Sequence, residues 1–166
     1  MKVILPPDSY TAQPGDISLF LGGSIELGKA EDWQKALIHH LSLKPYADRL
    51  VIFNPRNENW DATIPTEDPD HPAFKRQVEW ELKMQDKADI LLYYCAGNTI
   101  SPITLLEMGA YSARKPIIGA DPTYKRYGNV VITARHFGWN MNMGWDAFVA
   151  TLDRALTAAV AASKAS

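Results

Sequence analysis

The sequence predicts a doubly wound α/β domain, with a mostly parallel five-stranded sheet and helices on both faces. Short apolar runs recur as continuous stretches rather than alternating with polar residues, which is the pattern of strands buried on both sides. Stretches with helical periodicity separate these runs, so strands and helices alternate along the chain. The 166 residues are 46% hydrophobic and 22% charged, which suits one folded domain around one substantial core.

The elements follow in order. Residues 1–15 form an N-terminal extension. Ile17 to Leu21 is a short apolar run that stops at Gly22-Gly23, a buried strand ending in a tight turn. From Ala30 to Leu43, Trp33, Leu37, Ile38 and Leu41 recur at helical spacing. Leu50 to Phe53 is a second strand, ended by Asn54-Pro55. Residues 56–71 carry no periodicity and are rich in Asn, Asp, Thr and Pro; a structureless stretch of that length suggests an active-site loop. Pro72 to Lys87 is a helix entered through a proline in its first turn. Asp89 to Tyr94 is the next strand. Ser101 caps a helix that starts at Pro102 and runs to about Arg114. Ile117-Ile118 and Val130 to Thr133 supply two more strands, Asp146 to Ala161 the last helix, and 162–166 a frayed tail. No linker or repeat divides the chain, so residues 1–166 are expected to form one domain.

Composition excludes several functions. Lys and Arg number 17 against 19 Asp and Glu, a formal net charge of −2, and no basic run marks a nucleic-acid polymer as partner. The single cysteine, Cys95, lies in an apolar run, and His39 and His40 are adjacent rather than spaced as a helical metal pair. No metal or cofactor is expected. The N-terminus is too proline-rich for a signal peptide and no apolar run is long enough to span a bilayer, so a cytoplasmic protein without membrane contact is expected.

In such folds ligands bind beyond the carboxyl ends of the strands, where three loops carry unusual residues. The stretch GGSIELGKA, residues 22–30, spaces Gly23, Gly28 and Lys29 as a phosphate-binding loop would. Ala30 lacks the hydroxyl that would hold magnesium, however, and Glu26 would place a negative charge in the anion cradle. Gly22, Gly23 and Ser24 serve either close strand–helix packing or a substrate lying against the backbone. On the 72–87 helix, Phe74, Val78, Gln85 and Ala88 share one side with Glu81 in its middle. An inward carboxylate has a raised pKa, whether it is a structural partner or a functional acid. Trp80 lies off that stripe, as ordinary packing. On the following helix, Leu105, Leu106, Gly109 and Ala113 form the apolar side and Thr104, Glu107, Tyr111 and Arg114 the other. That polar side is either a solvated face or, because the helix start faces the crevice and its dipole favours an anion, a place for a working carboxylate. Asn54 and Arg56 follow the second strand toward the same crevice, with Arg56 either in solvent or binding a sugar hydroxyl or phosphate.

Four pieces, FLGGSIE (20–26), FNPRNENWD (53–61), WELKMQDKADILLYY (80–94) and ISPITLLEMGAY (100–111), occur in the order and spacing of the nucleoside 2-deoxyribosyltransferase superfamily. The chain resembles its short bacterial and phage-associated branch. The resemblance implies a flavodoxin-like, deoxyribosyltransferase-like sheet. It also implies that Glu107 is the nucleophile attacking the anomeric carbon of a deoxyribose, and that the glycine turn borders the base pocket. Glu81 stands where studied members place an Asp, and is the candidate acid or base contact. Tyr111 could hold the nucleophile by a hydrogen bond or simply pack. Ser101 stands where several members carry an Asp and is more like relatives that hydrolyse nucleoside 5′-monophosphates. Asn129 is the nearest candidate for a residue reaching a neighbouring subunit's site. The implied function is exchange of the base of 2′-deoxynucleosides, with free nucleobases as co-substrates and a homo-oligomer, dimeric or dimer-based, as the working form. Hydrolysis of nucleoside 5′-monophosphates is the alternative reaction. A non-catalytic nucleotide-binding module is the alternative of another class.

Overall fold

A computed structural model describes residues 1–26, 30–57, 60–61 and 63–163. Six strands form one sheet: β1 (Lys2–Ile4), β2 (Ile17–Gly23), β3 (Leu50–Phe53), β4 (Ile90–Cys95), β5 (Ile117–Ala120) and β6 (Asn140–Met143). Their order is β1-β3-β2-β4-β5-β6 and every neighbouring pair is parallel. Among the described residues five helices flank the sheet: α1 (Trp33–Ser42), α2 (Pro72–Lys87), α3 (Pro102–Ala110) and α4 (Tyr127–Phe137) connect successive strands from β2 to β6, and α5 (Trp145–Ala162) follows β6.

Alternation along each strand sends side chains to two separate cores. Leu19, Leu21, Ile52 and Leu92 meet Trp33 and Leu37 of α1 and Phe148 and Leu152 of α5. Phe20, Val51, Phe53 and Tyr93 meet Trp80 and Met84 of α2, Met108 of α3 and Val130 of α4. The chain is therefore doubly wound, and its direction of travel across the sheet reverses between β2 and β4. That reversal opens a crevice beyond the carboxyl ends of those two strands.

The sheet has six strands rather than five. Lys2–Ile4, within the expected extension, pairs with β3 as an edge strand. Val130 to Thr133, expected as a strand from its β-branched run, lies inside α4. Val130, Val131 and Ala134 are buried while Ile132 is 68% exposed, so the burial follows a helical period. Gly138, with φ 65°, ends that helix in the left-handed conformation. The last strand is instead Asn140–Met143, whose alternating polar residues disguise it. Asn142 is buried there because its amide donates to the Ile118 carbonyl and its side-chain oxygen accepts from Thr151. The helix expected to reach Arg114 ends at Ala110 and continues as a 3-10 turn over Ser112–Arg114. The last helix reaches Ala162; of the expected frayed tail, residues 164–166 lie outside the described residues. Among the described residues no helix is long and apolar enough to cross a membrane.

Candidate active site

A cavity of about 800 Å³ occupies the crevice at the chain reversal. Its walls come from the end of β2, the loop after β3, α2 and the N-terminal half of α3. Gly22 and Gly23 form one wall, paired in register with Tyr93 and Tyr94 of β4. A Cβ on Gly22 would meet the Tyr93 ring, and one on Gly23 the Tyr94 carbonyl, so these glycines permit the close strand approach that shapes the wall. Gly28 and Lys29, the rest of the near phosphate loop, lie outside the described residues, as do positions 27, 58, 59 and 62.

Glu81 and Glu107 both line the cavity. On α2, Trp80, Met84 and Gln85 are buried, as is Ala88 just beyond its end, whereas Phe74, Val78 and Glu81 turn partly toward the open space. Glu81 accepts a hydrogen bond from Gln77 Nε2 at 2.7 Å, and burial pushes its carboxyl up to about 6. Helix α3 is turned opposite to its amphipathic pattern. Thr104 and Met108 are buried and Glu107 faces the cavity, while Ile103 and Leu106 are 60% and 67% exposed. Burial raises the Glu107 carboxyl to about 7, and the charge of Glu81 adds to the rise. The helix dipole does not keep it acidic: Glu107 is the sixth residue of α3, and the dipole's influence fades beyond the first turn.

Glu107 is held by Gln85, whose Nε2 donates to its Oε1 at 2.7 Å. Gln85 is fixed in turn, because the buried Tyr93 hydroxyl donates to its Oε1. Arg114 donates to the Gln85 and Ala88 carbonyls, closing the C-terminal end of α2 with a cation where the helix dipole favours one. Among the described residues, Glu107 Oε2 takes no hydrogen bond. Tyr111 does not hold Glu107. Its hydroxyl is directed at Asp86 Oδ1 (3.1 Å) and the Leu82 carbonyl (3.3 Å).

The remaining expected site residues divide. Ser101 lines the cavity, but its side chain does not cap α3; with φ 44°, its hydroxyl donates to Ser24 Oγ at 2.6 Å. Ser24 is fully buried, where it donates to or accepts from Thr99 and accepts from the Ala96 amide, tying β2 to the loop after β4. Arg56 lines the cavity yet is neither in solvent nor directed at it alone. It pairs with Asp32 at 3.6 Å and donates to the Ala30 carbonyl at 3.1 Å, with its side chain only 11% exposed. Asn54 lies outside the lining and shapes the turn by accepting from the Arg56 amide at 3.1 Å. Asn129 sits exposed on α4, away from the cavity wall.

Sequence reasoning left out Gln85 and Gln77 as partners of the two carboxylates, although both fall at helical spacing from Glu81. It gave no part in the site to Trp60, or to Phe74 on the Glu81 side of α2, which provide the cavity with aromatic walls. Among the described residues no cluster of three or more His, Cys, Asp or Glu could hold a metal.

No curated protein matches the chain. The family model for nucleoside 2-deoxyribosyltransferase-like proteins matches residues 16–124, a span that includes the glycine wall, both half-buried glutamates of the cavity and Ser101. The chain belongs to the nucleoside 2-deoxyribosyltransferase-like family.

Proposed function

We propose that the protein exchanges the base of 2′-deoxynucleosides by a retaining double displacement through a glycosyl-Glu107 intermediate. The observation that carries this reading is Glu107 itself. It is a desolvated carboxylate on the wall of a cavity of about 800 Å³, with room for a nucleoside, and has one oxygen fixed by Gln85 and the other left without a hydrogen bond among the described residues.

Cleavage of the C1′–N bond builds oxocarbenium character on the sugar, which an adjacent anion stabilises strongly in a water-poor site. Glu107 Oε2 forms a bond to C1′ as the C1′–N bond breaks, and the bond's electron pair leaves with the base. A proton delivered to that base makes it a better leaving group, typically a gain on the order of 10² to 10⁴ in rate. Glu81, with its carboxyl raised to about 6, is the proton donor in this scheme. A second base then attacks C1′ from the vacated side, gives its N–H proton to the Glu81 carboxylate and releases Glu107, so the configuration is retained and Glu81 is reprotonated.

The two carboxyls together carry about one proton between pH 6 and 7. Even with the Gln85 bond in place the Glu107 carboxyl is raised further than that of Glu81, so it is the developing positive charge on the sugar beside Glu107 that draws the proton to Glu81. Trp60, Phe74 and Val78 offer apolar surface for a planar base.

The exposed Ile103 and Leu106 lie at the cavity mouth on α3, beside the half-exposed Leu82 of α2. In the working enzyme a second copy covers this apolar rim and excludes water from the sugar.

Incubation of deoxyinosine and the other common deoxynucleosides with free adenine tests the exchange. New deoxyadenosine is expected from the wild type and none from Glu107→Ala. Equal turnover by both proteins refutes the role of Glu107, and free sugar formed at the same rate without acceptor base refutes exchange in favour of hydrolysis.

A further inference from the structure

Three groups in this cavity wall could take a phosphate, and each is already engaged. The first is the backbone at the start of α3, where free amides and the helix dipole attract anions. Glu26 occupies it: its Oε1 accepts from the Ile100 amide at 2.6 Å and the Ser101 amide at 3.2 Å. Glu26 adopts φ 46° in this arrangement, a conformation uncommon for a residue with a side chain. The second is the Ser101 hydroxyl, which lies 2.6 Å from Ser24 Oγ and 3.1 Å from Thr99 Oγ1 within a buried hydroxyl cluster. The third is Arg56, the one cation among the described lining residues, which is paired with Asp32 and bonded to the Ala30 carbonyl.

The same wall carries Glu26, Asp32, Glu81 and Glu107. A phosphate dianion entering it meets carboxylates on several sides and an anion already seated on the helix terminus. We propose that Glu26 is a specificity-determining residue that acts as an internal stand-in for phosphate, restricting the site to unphosphorylated nucleosides.

This inference rests on the exchange reading for its biological meaning, but the binding it describes can be measured without turnover. Amide signals of Ile100 and Ser101 are followed by NMR while inorganic phosphate, deoxyinosine or deoxyinosine 5′-monophosphate is added. The proteins are the wild type, Glu26→Gln and Glu26→Gly. Glycine opens both amides and suits the positive φ; glutamine keeps an accepting oxygen and removes only the charge, so it also controls for folding. The wild-type amides should not respond to phosphate. Glu26→Gly should bind phosphate there, and both variants should favour the monophosphate over the nucleoside by about tenfold or more relative to wild type, glycine exceeding glutamine.

Phosphate binding at these amides in the wild type overturns the inference. So does an unchanged preference in both folded variants. Failure of base exchange with this binding pattern intact overturns the proposed reaction and leaves the role of Glu26 standing.

Discussion

Replacing Glu107 by glutamine should stabilise the fold at alkaline pH while abolishing exchange. Burial, assisted by the charge of Glu81, raises the Glu107 carboxyl from 4.5 to about 7. A folded-state value above the unfolded one means that the ionised form is penalised in the native protein. The stability linked to this group is therefore fully present below about pH 4.5. It declines as the pH rises and is lost once the pH passes about 7. At about 1.36 kcal/mol per pH unit, the rise corresponds to roughly 3 kcal/mol at pH 8. Glutamine preserves the shape and can still accept from Gln85, yet never ionises. Urea denaturation of both proteins from pH 4.5 to 8.5 isolates this effect, because every other titrating group is common to the two. The variant should gain little at pH 4.5 and about 2–3 kcal/mol at pH 8, which for a domain of this size raises Tm by roughly 5–10 °C. A difference that does not vary with pH, or a variant less stable at pH 8, refutes the account of a desolvated Glu107.

The neighbouring residues should move the pH profile in opposite directions. Glu81→Gln removes a charge that raises Glu107, so the acidic limb of kcat/KM should shift to lower pH, while kcat falls about 10²- to 10⁴-fold if proton donation is lost. A limb that stays in place removes Glu81 from this role. Gln85→Leu deletes the donor to Glu107 and the acceptor of the buried Tyr93 hydroxyl. The acidic limb should shift to higher pH, and denaturation should show a loss of about 1–3 kcal/mol. Leu106→Glu places a charge on the exposed apolar face of α3. Sizing combined with light scattering should show a smaller species than wild type, and a wild type that is already monomeric contradicts the covered cavity mouth.

The fold was legible wherever local pattern and burial agree. Strands β2, β3 and β4 are continuous apolar runs between breakers, and α2 and α5 have long helical periods. The pattern misled where a β-branched run sat in a helix, as at Val130 to Thr133, and where an edge strand alternated polar residues, as at Asn140–Met143. In the site, the inward position of Glu81 followed from its place on the α2 stripe. The orientation of α3 did not follow from its own sequence. Ile103 and Leu106 point outward and Glu107 lines the cavity, while Met108 and Leu105 still pack on the core, a local rule partly broken beside a cavity. The Gln85–Glu107 bond and the seat of Glu26 on the Ile100 and Ser101 amides join segments 22 and 74 residues apart, and no spacing within one element encodes such contacts.

The most direct test of the central claim is mass spectrometry of the protein after reaction with a 2-deoxy-2-fluoro-arabinosyl nucleoside, whose fluorine slows release of the sugar from the enzyme. One fluoro-sugar should be found on each chain, on the peptide containing Glu107, and addition of a free base should remove it. A sugar attached elsewhere, or steady turnover of the natural deoxynucleoside with no trapped sugar at all, would contradict attack by Glu107.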